Sequence, residues 1–148
     1  MKHLGIDYGS KRIGVAVSDT DGRIAFPLTT LIAGSDRAKT LRELRELVER
    51  EAVSRVVVGL PLSLDGSRGP AAQRAERFAA ALGRHLAVPV EAFDERFSTQ
   101  QAERVLIDAD VSRQRRKEVV DRVAATMILQ GYLDRRAAQA GDDHSRGP

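Results

Sequence analysis

Residues 3–19 read His3-Leu4-Gly5-Ile6-Asp7-Tyr8-Gly9-Ser10-Lys11-Arg12-Ile13-Gly14-Val15-Ala16-Val17-Ser18-Asp19, two short apolar runs on either side of a Gly-Ser-Lys connection. The pattern predicts strands over 3–8 and 12–19 folded back on each other through a tight turn. Alternation puts Ile13, Val15 and Val17 on one face of the second strand and Gly14, Ala16 and Ser18 on the other. In the first strand it sets Asp7 on the face of Gly5, opposite Leu4 and Ile6. Asp21-Gly22 is a hairpin signal. A third strand follows over about 24–32, where Pro27 marks an edge or an irregularity. The chain therefore opens as an antiparallel meander.

Beyond it the period changes. Leu41, Leu44, Leu47 and Val48 form a helical stripe over 36–51, capped by Ser35 or Asp36. Arg55-Val56-Val57-Val58-Gly59-Leu60 is the nearly continuous apolar run of a strand covered on both faces. A loop from Pro61 to Pro70 leads to a second amphipathic helix marked by Ala71, Ala75, Phe78, Ala79, Leu82 and Leu86. A strand over 88–93 runs into Asp94-Glu95-Arg96. Ser98-Thr99-Gln100-Gln101 has the form of a capping box and predicts a short helix to about Ala109. The last helix is expected from near Ser112 to about Ala138, and 139–148 as a flexible C-terminal tail without an apolar anchor. A meander followed by alternating helix and strand predicts one α/β domain over 1–138, a mixed five-stranded sheet flanked by helices.

Composition excludes several classes. The chain has 148 residues, 42% apolar and 30% charged, which suits a single folded domain. With no cysteine there is no disulfide framework and no thiolate zinc site. No apolar run spans a bilayer and no signal peptide opens the chain, so a cytoplasmic protein without membrane contact is expected. The net charge is only +3, and 20 of the 24 cations are Arg. Their distribution is more informative than the total. Arg113, Arg115, Arg116 and Lys117 cluster at the start of the last helix, either as a solvated helix end or as a phosphate-facing patch.

Three acids sit where a carboxylate is awkward. Asp7 closes an apolar strand on a glycine-lined face with room for something to approach; it either caps the following turn or serves a site. On the last helix Asp121 is in line with Ala125, Ile128 and Tyr132, an apolar row facing the sheet, so it needs a cation or metal as partner. Glu95 stands at the C-terminal end of the fifth strand, where open α/β sheets place their ligand sites, or else in a polar turn. Together these form an oxygen-rich set suited to Mg²⁺ or Mn²⁺ and to two-ion cleavage of phosphodiesters. The three histidines, His3, His85 and His144, are too scattered for a Ser-His-Asp triad.

Four segments carry a resemblance. Gly5-Ile6-Asp7-Tyr8-Gly9-Ser10-Lys11-Arg12-Ile13-Gly14-Val15-Ala16, Val57-Val58-Gly59-Leu60-Pro61-Leu62 with Asp65-Gly66, Asp94-Glu95-Arg96-Phe97-Ser98-Thr99, and Asp121-Arg122-Val123-Ala124-Ala125 resemble, in order, the YqgF family. These are Holliday-junction-resolvase-like proteins also described as pre-16S rRNA nucleases. The resemblance covers about 130 residues and implies a ribonuclease H-like fold, metal-dependent nuclease activity and maturation of the 5′ end of small-subunit ribosomal RNA. It carries the family's catalytic and metal-binding acids onto Asp7, Glu95 and Asp121. True junction resolvases have an acid on the fourth strand; here Val56-Val57-Val58-Gly59-Leu60 has none, and Glu95 from the next strand would substitute. Lys11, Arg12, Arg96, Arg113, Arg115, Arg116 and Lys117 are the candidate contacts to nucleic acid, RNA ahead of DNA, with the small-subunit precursor as a possible partner and a monomer or homodimer as the acting species.

Three alternatives stand beside this reading. One is a nuclease for Holliday junctions or other structured DNA. Another is a non-catalytic, ribosome-associated RNA-binding factor. The third is a nucleotide-binding ATPase-like module, whose phosphate motif also pairs a strand Asp with Gly but which needs two lobes to enclose its nucleotide.

Overall fold

The computed structural model describes residues 1–97 and 113–145, with side chains resolved to 97 and over 121–141. The meander forms as the alternation predicts: β1 (His3–Tyr8), β2 (Arg12–Ser18) and β3 (Ala25–Ile32) pair antiparallel in succession. Gly22 takes φ +67° in the β2–β3 turn, a conformation that favours glycine. Pro27 lies on the outermost strand, and the register slips beside it: Ala16 faces Pro27 while Val15 faces Thr29. Leu28 is thus the extra residue of a bulge, the irregularity that a strand proline invites.

Helix α1 (Arg37–Arg50) follows, its N-terminus capped by Asp36, whose carboxylate accepts from the Lys39 backbone N–H. Strand β4 (Arg55–Leu60) then pairs parallel to β1, and after α2 (Pro70–His85) strand β5 (Val90–Asp94) pairs parallel to β4. The sheet order is β3-β2-β1-β4-β5, which borders β1 with β2 on one side and β4 on the other. Strand β5 starts at Val90, two residues later than predicted, because Pro89 has no N–H to give to a ladder. Glu95–Phe97 closes β5 with a 3₁₀ turn.

The last helix, α3 (Arg113–Ser145), runs well past the predicted end near Ala138. Residues 139–145, expected beyond the helix, form its final turns. The apolar stripe ends there, but Ala137-Ala138-Gln139-Ala140 are strong helix formers and no proline intervenes before Pro148. The capping box at 98–101 and the short helix predicted to Ala109 lie outside the described residues.

Two cores sandwich the sheet. On one face Leu4, Ile6, Ile13 and Val15 pack with Leu44 and Leu47 of α1 and with Phe78 and Leu82 of α2. On the other, Ala16, Val57 and Phe93 pack with Ala125, Ile128, Leu129 and Tyr132 of α3. The second face is made of unusually small residues, because β1, β2 and β4 turn Gly5, Gly14 and Gly59 towards α3. A Cβ on Gly5 would stand 2.6 Å from Cβ of Leu129, and one on Gly14 would overlap the backbone carbonyl of Asp121. The missing side chains let α3 lie directly on the central strands. No helix among the described residues is long and apolar enough to cross a membrane.

Candidate active site

Strands β1, β4 and β5 run parallel, so their C-terminal ends gather at one edge of the sheet. Asp7 is the penultimate residue of β1, Glu95 follows the last residue of β5, and Asp121 lies on α3 where that helix crosses Gly14. Asp7 faces Gly14 across the β1–β2 ladder, which places it under the same stretch of helix. Asp7 links the other two, being hydrogen-bonded to Glu95 and within reach of the charge of Asp121, and each acid arrives by a different device.

Asp7 is carried by strand alternation. Glu95 is delivered sideways: its side chain folds over Gly59, so that a Cβ there would come within 2.7 Å of Oε1 of Glu95 and 2.6 Å of Cδ1 of Ile128. The carboxyl group that β4 lacks in its own sequence is supplied across a glycine by the residue after β5. Asp121 is positioned by its backbone, which rests on Gly14. The row predicted to face the sheet does so: Ala125, Ile128 and Tyr132 are all buried.

Electrostatically the site is under strain. Burial, followed by repulsion from Asp121, pushes the Asp7 carboxyl up to about 6, while a hydrogen bond with Glu95 acts in the opposite sense. Burial also pushes Glu95 up to about 7, helped by the charge of Asp7 and by that same hydrogen bond. The hydrogen bond between them requires one proton, with Glu95 as donor and Asp7 as acceptor. Asp121 is balanced differently. Its Oδ2 accepts from Nε of Arg12 at 2.7 Å, and both side chains are partly buried.

Among the described residues no three acids or histidines stand close enough together to chelate a single ion. The donor set nevertheless fits a hard divalent cation. It consists of carboxylate oxygens alone, and two of the side chains are half-buried and hydrogen-bonded to each other. A dication would take the place of the proton in that hydrogen bond and relieve the repulsion.

The candidate basic residues divide into three groups. Arg12 is turned towards Asp121, and Lys11 beside it is exposed on the β1–β2 turn. Arg96 grips Asp94 through Nε and Nη2, and its Nη1 donates to the carbonyl of Leu64 at 3.2 Å. Arg96 thereby ties the Pro61–Pro70 loop to the end of β5. Arg113, Arg115, Arg116 and Lys117 occupy the first two turns of α3, ahead of Asp121, and their side chains lie outside the described residues. Sequence reasoning asked for a cation beside Asp121 but had no means of naming Arg12, which is 109 residues away. Gly59 as a seat for Glu95 was also missed; a glycine closing an otherwise branched apolar run was its only signal.

A family model described as "RuvX: Holliday junction resolvase" matches residues 1–135. A protein of Moorella thermoacetica named "Putative pre-16S rRNA nuclease" is 51% identical over 135 residues, covering 91% of this chain and 96% of that protein. One of the same name from Myxococcus xanthus is 48% identical over 144 residues, covering 97% of this chain and 95% of that protein. Among solved structures, Thermus thermophilus RuvC in complex with a Holliday junction substrate superposes with a TM-score of 0.60 at 16% identity, covering 93% of this chain and 96% of that one. At that identity the likeness speaks for the fold alone, which is ribonuclease H-like, as the four segments implied.

Proposed function

Because the chain belongs to the RuvX family, we propose that this nuclease is metal-dependent and acts on the precursor of 16S ribosomal RNA, in maturation of its 5′ end. The observation that carries the reading is the half-buried Asp7–Glu95 pair, with Asp121 close enough to act on the charge of Asp7. No other cluster in the described chain unites carboxylates from β1, β5 and α3 at the carboxyl edge of the parallel strands. The names borne by relatives at 43–51% identity point to the same substrate.

Asp7, Glu95 and Asp121 would hold Mg²⁺ or Mn²⁺, which when bound supplies an activated water and a counter-charge for the leaving oxygen of a phosphodiester. The chain's own residues prepare that site. Gly5, Gly14 and Gly59 clear the space above the sheet, so that the acids are held by backbone placement. Glu95 keeps a proton against Asp7 and releases it when a cation takes over the negative charge. Arg12 balances the charge of Asp121 at 2.7 Å in the absence of a cation. Exposed Lys11 at the β1–β2 turn, and Arg113, Arg115, Arg116 and Lys117 in the first turns of the helix that carries Asp121, are the proposed cationic partners of the phosphate backbone, which position the strand without reading its bases.

The test is Mn²⁺-dependent cleavage of a 5′-extended 16S precursor RNA, run beside a four-way DNA junction. The precursor should be cut, and Asp7→Asn, Glu95→Gln and Asp121→Asn should each stop the reaction. Preferential cutting of the junction would move the substrate to structured DNA, and full activity in the triple variant would remove the acids from the chemistry. Binding of the precursor without any cleavage would favour a non-catalytic RNA-binding factor.

A further inference from the structure

We propose that the groove between β5 and α3 is a second phosphate track, which holds the RNA strand beyond the bond that is cut. It rests on the nuclease reading above and extends it to residues that reading does not use. The groove is a cavity of about 490 Å³ beside the acid site, with Arg55, Glu91, Tyr132, Arg135 and Arg136 along it and Asp94 and Phe97 at its upper end.

Its polar groups are already organised. Nη1 of Arg55 donates to Oε2 of Glu91 at 3.1 Å, the Tyr132 hydroxyl donates to the same oxygen at 2.7 Å, and Nη1 of Arg136 donates to that hydroxyl at 3.2 Å. This chain fixes two guanidinium groups on opposite walls. Nε of Arg55 is buried behind this network, which leaves its Nη groups as the part of the guanidinium nearest the groove. The Arg135 guanidinium lies 3.9 Å from the centre of the Phe97 ring. Stacking occupies the flat face of a guanidinium and leaves its N–H edge for an oxygen.

The charge count favours an anion. Three arginines face two carboxylates, and Asp94 is already neutralised by Arg96. The cations are felt in the interior as well: His3, whose ring packs tilted against Tyr132, is held below the usual imidazole range mainly by burial, with Arg136 and Arg55 adding to the effect. The groove is also elongated. Its lining on α3 runs from Tyr132 to Ala140, about 12 Å of helix at 1.5 Å per residue. Glu91 stands four residues before Glu95, about 13 Å at the rise of a strand. That length suits successive phosphates of a strand better than one isolated anion, and the upper end opens beside Glu95, where a strand leaving the acids would enter it.

The experiment separates the groove from the chemistry. A labelled oligouridylate too short to reach past the acids, and the same RNA extended at both ends, are titrated onto Asp7→Asn protein at several salt concentrations. Arg135→Ala with Arg136→Ala, both on exposed turns of α3, is then added to that background, with thermal melting as the check on the fold. The extended RNA should bind about five- to tenfold more weakly and lose about one unit of salt slope, whereas the short RNA binds as before. Arg136→Lys should recover most of the slope but less of the affinity, since a point charge replaces a fork. An unchanged slope with the extended RNA would overturn the track, as would equal losses for both RNAs. These readouts need no cleavage, so a failed nuclease assay leaves them interpretable, and an active nuclease with an unaltered slope sinks the groove alone.

Discussion

Nε of Arg12 on β2 donates to Oδ2 of Asp121 on α3 at 2.7 Å, joining the first hairpin of the chain to its last helix. In a metal-free protein the guanidinium supplies the cation that a half-buried Asp121 needs. Arg12→Ala should therefore lower the melting temperature modestly, by about 0.5–1 kcal/mol of stability for a pair that keeps some contact with water. It should also strengthen Mn²⁺ binding, read by titration calorimetry, because a competitor for Asp121 has gone. Weaker Mn²⁺ binding in the variant would mean that Arg12 orders the site instead of competing for it.

The Asp7–Glu95 pair makes a second prediction, for stability against pH in the absence of metal. Both carboxyls titrate higher in the folded chain, about 6 and about 7, than the 3.8 and 4.5 of unperturbed groups. Between those limits the folded state binds more protons than the unfolded state, so stability is greatest below pH 4 as far as this pair is concerned and falls as pH rises through 7. The two shifts together set an upper bound of about 6 kcal/mol, which solvent screening of a half-buried pair reduces. Asp7→Asn removes one charge and should flatten the decline while melting above the parent at pH 8. A parent protein whose pair-dependent stability rises from pH 5 to 7 would contradict the arrangement.

Gly14 and Gly59 invite a paired comparison. A methyl on Gly14 meets the fixed backbone of Asp121, whereas one on Gly59 meets the ends of Glu95 and Ile128, which can swing aside. Gly14→Ala should then destabilise by at least about 2–3 kcal/mol, as overpacking against main chain does, and lose activity with stability. Gly59→Ala should melt within about 1.5 kcal/mol of the parent yet lose metal affinity, because Glu95 is displaced. Chemical denaturation and Mn²⁺ titration read the two effects separately.

Arg96 joins the Pro61–Pro70 loop to the end of β5 through the Leu64 carbonyl. Arg96→Ala removes that tie and should make the loop the first site of limited proteolysis, with cleavage at least about tenfold faster and little change in global stability. Equal proteolysis rates in parent and variant would show that the loop is held by its own turn, in which Ser63 pairs with Gly66 and Ser67.

Much of this was legible in the sequence, for local reasons. Asp7 declared its face because a strand alternates, and Asp121 declared its face because Ala125, Ile128 and Tyr132 share its line on a helix. Pro27 announced the bulge that the β2–β3 register then displayed. What was hidden depends on contacts between distant segments. Nothing near Asp121 names Arg12, and nothing near Glu95 says that its side chain crosses Gly59 of a neighbouring strand. The end of α3 was misplaced for another reason. Amphipathic periodicity stops at the last packed turn, but a helix rich in alanine continues beyond what it packs against.

The seat of Asp121 on Gly14 has a consequence for the order in which the protein is made. The strands bearing Asp7 and Gly14 leave the ribosome before the helix that completes the acid cluster, whose Asp121 follows Arg12 by 109 residues. A nascent chain holds Asp7 on an open sheet face and has no means of assembling the cluster until α3 docks there. On the reading proposed above, the chain gains its cutting function only once α3 has docked on the sheet that carries Asp7.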